Sequence, residues 1–544
     1  MKHKERIDRA IEALHERRYY AAYPENPKAY AEDADAKGKE TFQKQLSNPF
    51  LGINDAGNTG YIGEEVSPYM MLGLGIQYPQ FSGEVLLERA TEAHQAWKQC
   101  TLEQRADLLV DMLDAVSERF FELGYATMHT TGQSFMMSFQ ASGPHANDRA
   151  LESIALGFQE QSRYPKQLDW VKNMGKFDLT IKKNFKPISK GVGLVIGCST
   201  FPTWNTVPGV FANLITGNTA IIKPHPKSVL PIAIVVAEMQ GVLQRNGFSP
   251  YTVQLAVDTL ANPITKELAE HPQVKLIDYT GGSAFGAYIE SLPGKTVFTE
   301  KAGVNSVILE SVQDAKAVFG NLAFSFSLYS GQMCTAPQNI FVPSGGIKTA
   351  DGHLSYEEVV AGLSDAVKGL AENPKMGAFV MGAIQNDTTK NRVTQTLQSI
   401  NASPLEADVV HPEFEDARIL TPTVIGVDAD SKVWQEECFG PIVFVVKTQN
   451  ADHALELAAH MAQDKGAITC LCYSSDASYS EKVEMVMNET FTPVSFNFTG
   501  AAFVNQHAAF SDFHVSGGNP SGNATFTDSL YVNRRFVWVG NRFA

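Results

Sequence analysis

Residues 274–292 read VKLIDYTGGSAFGAYIESL: an apolar run, then a glycine-rich turn, then a segment of helical character. That order is strand, turn, helix. Gly281 and Gly282 let the backbone come close to a phosphate, and the helix N-terminus behind them offers unpaired N–H groups and a partial positive charge. An ordinary strand-to-helix turn has the same outline, so the stretch alone carries both readings. Outward from it the order repeats. VGLVIG at 192–197, TAIIKP at 219–224 and TVQLAV at 252–257 are apolar runs, with helical stretches such as IAIVVAEMQGVLQRNG between some of them. Strands alternating with helices imply a parallel, doubly wound α/β sheet.

The chain has 544 residues, more than one hydrophobic core normally supports, so two or more domains are expected. A second set of strand and helix signals begins near residue 300, with NSVILE, IVFVVK and AITCLCY as strands. The division read from the sequence is an N-terminal arm over 1–90, a cofactor-binding domain over 91–300, a catalytic domain over 301–495 and a returning tail over 496–544. Within the second of these, Leu109, Met112, Val116, Phe120 and Leu123 recur at three- and four-residue steps and predict one amphipathic helix. FDLTIKKNFKPI at 177–188 alternates as a strand does, and residues 165–190 are assigned with the tail to a small β element for oligomerisation.

A formal charge of −15 argues against a nucleic-acid partner, because phosphate binding needs concentrated Lys and Arg. The N-terminus MKHKERIDRAIEALHERR lacks the apolar core of a signal peptide, and no apolar run approaches the length of a membrane span. A cytoplasmic protein without a membrane partner is the expectation. Six scattered cysteines without a CxxC pair exclude a disulfide scaffold, and no metal site is expected. Cys470 and Cys472 would face one side of a strand as buried, inert thiols.

GVGLVIG at 191–197 has the glycine spacing of a dinucleotide fingerprint in the wrong context. There the glycines precede the strand instead of following it, and they are expected to form its entry turn. Cys334 stands apart from the other thiols. It follows a helix with apolar positions Phe319, Leu322, Phe326 and Tyr329, in the turn SGQMCTAP that begins where the helix is expected to run out at Gly331. Glu300 ends the strand-like TVFTE. A thiol for a carbonyl, a carboxylate to deprotonate water and a phosphate cradle together suggest cofactor-dependent chemistry at a carbonyl.

These blocks resemble the aldehyde dehydrogenase superfamily in collinear order over most of the chain: GNTAIIKP, YTGGSAFG, Glu300, GQMC and EECFGP. The resemblance implies an aldehyde dehydrogenase-like α/β fold in which Cys334 attacks the aldehyde and Glu300 activates the water that cleaves the thioester. It further implies that Lys223 holds the adenosine ribose, that Gly281 and Gly282 form the phosphate turn, that Glu437 binds the nicotinamide ribose, and that Phe439 packs near the nicotinamide. The cofactor is NADP or NAD. NADP is preferred because Pro226 stands where many NAD-using relatives carry a glutamate, with His225 and Lys227 beside it.

Two departures stand out. The turn after the base reads Glu300-Lys301-Ala302-Gly303-Val304 in place of Glu-Leu-Gly-Gly-Lys, and Gly282 replaces the common serine. In CSTFPTWN, residues 198–205, the family places an asparagine that helps bind the oxyanion. Counting back 23 residues from Lys223 reaches Thr200, which also precedes Phe201-Pro202, and Asn205 is the rival. The long arm and the tail SGGNPSGNATFTDSLYVNRRFVWVGNRFA most resemble the PaaN group of phenylacetate degradation. That likeness implies an aliphatic semialdehyde formed after ring cleavage and carried on coenzyme A, and a homodimer or dimer of dimers. Two other readings of Cys334 and Glu300 are a thioester hydrolase without a redox step and an inactive pathway scaffold.

Overall fold

The computed structural model describes residues 1–301, 303–407, 409–506 and 508–544. Helix α1 (Lys4–Glu16) turns Ile7, Ala10, Ala13 and Leu14 inward, against the helix that covers the first sheet. Phe42 and Phe50 enter that same core, so the first ninety residues are packed structure. The apolar series from Leu109 to Leu123 belongs to two helices, not one: α2 (Leu102–Ser117) and α3 (Phe120–Thr131). Periodicity survives the break because Phe120 and Leu123 remain buried in the core that Leu109 and Met112 enter. Periodicity alone therefore concealed a bend. α2 begins with a reciprocal capping box between Thr101 and Gln104. Helix α4 (Ala146–Ser162) then lies across the core, with α1 on it.

Strands β1 (Gln167–Asn173) and β2 (Asp178–Ser189) pair antiparallel and lead into the first sheet. β3 (Val192–Ile196) is its centre and is buried at every residue, as befits a strand covered on both faces. Gly191 does form the entry turn, at φ 127°. Gly193 instead lies inside the strand, where a Cβ would come within 2.6 Å of the Asn213 amide on helix α5 (Pro202–Ile215). It serves close helix–sheet packing and not a phosphate. β4 (Thr219–Lys223), β5 (Val253–Leu255), β6 (Val274–Gly281), helix α6 (Ser283–Glu290) and β7 (Thr296–Lys301) complete the unit. The order is β5-β4-β3-β6-β7, all parallel. From β3 the chain first winds one way and then returns to wind the other. The crevice beyond the carboxyl ends at such a reversal is where ligands bind in doubly wound sheets.

The second unit is another parallel sheet. β8 (Asn305–Leu309), helix α7 (Ala315–Ser327), β9 (Pro337–Pro343), β10 (Thr423–Asp428), β11 (Ile442–Thr448), β12 (Cys470–Tyr473) and β13 (Val494–Phe496) build it. Its order is β10-β11-β9-β8-β12-β13. Cys470 and Cys472, on one face of β12, are free, fully buried thiols in its core. The tail forms helix α8 (Ser529–Asn533) and β14 (Phe536–Phe543), which pairs antiparallel with β2 from Phe536↔Ser189 to Phe543↔Lys182. Among the described residues, no helix is long and apolar enough to cross a membrane.

Candidate active site

Two cavities meet at Cys334. One, of about 830 Å³, runs along the carboxyl ends of the first sheet, and the other, of about 730 Å³, lies on the far side; Cys334, Asn205 and Phe201 line both. The cysteine is delivered by a turn, not a helix end. α7 stops at Ser327, four residues before the expected Gly331, and Tyr329 and Ser330 take left-handed φ values of 53° and 48°. Tyr329 therefore leaves the helical face on which its spacing placed it. Its hydroxyl donates to the Thr131 carbonyl at 2.5 Å, and Ser330 donates to Met381 O at 3.1 Å. A Cβ on Gly331, at φ 67°, would lie 2.6 Å from the Gly440 carbonyl oxygen, so this position requires glycine. Asn305 fixes the far side of the turn by donating to Cys334 O at 2.7 Å.

Glu300 ends β7 and is 1% exposed. One carboxylate oxygen accepts from Asn205 Nδ2 at 2.8 Å, and the other lies 3.0 Å from His514 Nε2. The Cys334 sulfur is close by: the ligating atoms of Glu300, Cys334 and His514 all lie within 4.8 Å of one another. Burial raises the Glu300 pKa, but His514, the thiol and the more distant Arg149 charge outweigh it and leave the carboxyl below its ordinary value. The Cys334 thiol is pushed well up, first by burial and then by the Glu300 charge. The resting pair is thus a neutral thiol beside a carboxylate.

On the cofactor side, β6 ends at Gly281 and Gly282 caps α6 with φ −64° and ψ 147°. A Cβ at Gly282 would meet nothing within 4 Å, so the helix N-terminus opens onto the cavity. Lys223, at the end of β4, is 3% exposed and pairs with Asp258 at 2.6 Å. That carboxylate, one strand over on the chain leaving β5, escaped the sequence reading, which weighed only Pro226, His225 and Lys227. Burial lowers the Lys223 pKa and raises that of Asp258, each opposed by the partner. His225, desolvated and next to Lys223 and Lys227, is lowered to about 4 and is neutral. Glu437 and Phe439 line the other end, Arg392 Nη1 donates to Phe439 O at 2.9 Å, and burial raises Glu437 to about 7. Two ends fit for ribose hydroxyls, with an open helix N-terminus between them, match a dinucleotide.

Thr200 lines the first cavity only, and its carbonyl accepts from Gln133 Nε2 at 2.7 Å. Of the altered turn, Ala302 lies outside the described residues. Lys301 lines the first cavity and pairs with Glu290 at 2.8 Å. Sequence reading missed Asp258, His514 and Arg149. None sits in a motif or a periodic pattern; each reaches the site from a segment remote in sequence, so nothing local distinguishes it.

Among solved structures, an NAD-dependent aldehyde dehydrogenase from Burkholderia multivorans is similar over 100% of this chain and 98% of its own, at 40% identity and a TM-score of 0.96. The NADP-dependent glyceraldehyde-3-phosphate dehydrogenase from Bacillus halodurans C-125, complexed with NADP, shares the fold at a TM-score of 0.69 and 17% identity, over 89% of this chain and 99% of its own. A 1-pyrroline-5-carboxylate dehydrogenase of Bacillus subtilis is 25% identical over 408 residues, 71% of this chain and 73% of that protein. The pattern of the aldehyde dehydrogenase family matches residues 83–517, a span that contains both sheets, Cys334 and Glu300. The chain, an NAD(P)-using oxidoreductase, therefore belongs to the aldehyde dehydrogenase family.

Proposed function

We propose that the protein oxidises an aldehyde to its acid, with Cys334 as nucleophile and Glu300 as general base. The observation that supports this most is the Cys334 thiol lying beside the Glu300 carboxylate where two cavities meet. Cys334 Sγ adds to the carbonyl carbon as its proton is lost to solvent, and Glu300 is held as a carboxylate for the water step that follows. The resulting oxyanion is held by the Thr200 hydroxyl and the Cys334 backbone N–H, because Asn205 is engaged with Glu300. A nicotinamide held here would supply the hydride acceptor that lets the carbonyl reform as a thioester. The thioester on Cys334 is then attacked by water whose proton goes to Glu300, and the acid departs. Lys223 and Glu437 hold the two riboses, Gly281 and Gly282 admit the pyrophosphate, and Phe439 packs beside the nicotinamide. His225 lines the adenosine end as a neutral ring.

NADP is the preferred nucleotide in this reading. Pro226 presents no carboxylate, Lys227 stands near, and Asp258 is already tied to Lys223 and so is not free to repel a 2′-phosphate. A higher kcat/KM with NAD overturns that preference. The substrate is an aliphatic semialdehyde of aromatic-acid degradation, free or as its coenzyme A thioester, as the likeness of arm and tail to the PaaN group implies. Reduced-nicotinamide absorbance, followed across a panel of aldehydes that includes coenzyme A semialdehydes, tests the reading. Wild type should reduce the nucleotide, and Cys334→Ala should not while still binding it. Thioester cleavage without nucleotide reduction would make the protein a hydrolase.

A further inference from the structure

Arg149, in the first turn of α4, is 3% exposed and carries no ion pair among the described residues. Its guanidinium lies 4.4 Å from the centroid of the Trp204 ring and 5.6 Å from that of Phe526, and its Nε has no hydrogen-bond partner. The acidic residues nearest in sequence are committed elsewhere. Asp148 accepts from the Ala22 N–H at 2.9 Å, and Glu152 accepts from the Phe510 N–H at 2.9 Å. Burial also pushes both carboxyls up, Asp148 well above its ordinary value and Glu152 to about 7, although the Arg149 charge pulls Glu152 back down without an ion-pair contact.

A guanidinium taken out of water without a carboxylate is costly, and buried charges are normally paired. This one is held flat by an aromatic ring, with its fork left for a ligand. It lines the 730 Å³ cavity that Cys334 also lines, on the side away from the nucleotide. Its charge extends to Glu300, whose carboxyl it helps to hold down. Trp204 links the two regions, since its ring also packs edge-on against His514 at 4.7 Å.

We propose that Arg149 binds a carboxylate on the substrate, so that the preferred aldehyde carries a free carboxylate at the end remote from its carbonyl. Two parallel N–H···O bonds would fix the distal end and leave the carbonyl at Cys334. The inference rests on the dehydrogenase reading and sharpens its substrate class: a free ω-carboxy aldehyde is favoured over its ester or thioester.

The test compares, in wild type and in Arg149→Gln and Arg149→Lys, nucleotide reduction with an ω-carboxy aldehyde, its methyl ester, its coenzyme A thioester and an unsubstituted aldehyde of equal length. Wild type should favour the free acid over the methyl ester by kcat/KM. Arg149→Gln should raise KM for the acid roughly 30-fold more than for the neutral aldehydes, whose shared change reads the loss of its charge near Glu300, and Arg149→Lys should lie between. A binding measurement guards against loss of fold: Cys334→Ser should bind the product dicarboxylate by calorimetry, and the Arg149→Gln variant of it should not. Equal wild-type efficiency on acid and methyl ester, equal losses on all substrates, or preference for the thioester would overturn the role of Arg149. Absence of nucleotide reduction with every aldehyde, together with retained dicarboxylate binding, would instead remove the dehydrogenase reading and leave the anion site standing.

Discussion

Glu300 is as deeply buried as the leucines around it, yet its neighbours keep it below the ordinary carboxyl pKa. Substituting it without changing its shape isolates the deacylation step: Glu300→Gln should give a burst of reduced nucleotide followed by steady turnover lowered about 10²–10⁴-fold. Rapid-mixing absorbance checks this, and unchanged steady turnover would remove Glu300 from the mechanism. Thr200 and Asn205 separate in the same assay. Thr200→Val should slow single-turnover hydride transfer, with a lost oxyanion donor worth roughly 3–4 kcal/mol, whereas Asn205→Ala should act mainly through Glu300 and spare that step. The reverse order would assign the oxyanion to Asn205. Glu437 titrates near 7 in the cofactor-free protein, raised by burial. Ribose hydroxyls donate to its ionised form, so affinity should rise as pH climbs through 7. With that pKa, nucleotide Kd should fall about tenfold between pH 6 and 8, and Glu437→Gln should abolish the slope in fluorescence titrations.

At the scale of elements, the carboxyl ends of β4, β6 and β7 deliver Lys223, Gly281 and Glu300 to one crevice. The turn after α7 then brings Cys334 to the same place through two left-handed residues. The tail is tied to this sheet by Arg535, fully buried, whose Nη1 and Nη2 donate to the two oxygens of Asp278 on β6 at 2.7 and 2.6 Å. Asn213 Oδ1 accepts from the same guanidinium at 2.9 Å, and the Tyr531 hydroxyl donates to Asp278 at 3.1 Å. Removing one partner strands the other charge in the core. Arg535→Met should lower stability by about 3–5 kcal/mol in denaturant unfolding, and the loss should shrink when Asp278→Asn is added. A loss near zero in the single variant would show that α8 and β14 dock by packing alone.

Over the whole molecule, the three-stranded sheet β14-β2-β1 stands away from both parallel sheets and leaves apolar side chains in water. Val537, Val539 and Phe543 share one face of β14 and are 53%, 41% and 50% exposed, with Ile188 opposite Val537 at 47%. Asn541 separates Phe543 from the two valines on this face; exposed apolar groups of this kind suit a partner surface, and a second copy of the chain is the occupant proposed for it. If two copies pair through it, the paired change Val537→Asp and Val539→Asp should lower the sedimentation coefficient in analytical ultracentrifugation. An unchanged sedimentation coefficient would place the interface elsewhere.

The sequence by itself determined the two α/β units, because continuous apolar runs, glycine turns and helical stretches are local properties that each segment carries wherever it lies. It also singled out Glu300, Cys334, Lys223 and the Gly281-Gly282 turn, since each closes or follows a recognisable strand or helix. Tertiary structure alone decided the bend between α2 and α3, the left-handed turn before Cys334, and the partners of the charged groups. Asp258 with Lys223, His514 with Glu300, and Arg149 over Trp204 are separated along the chain by 35, 214 and 55 residues. Electrostatic pairing in a low-dielectric interior depends on distance in space, and no pattern along the chain encodes it.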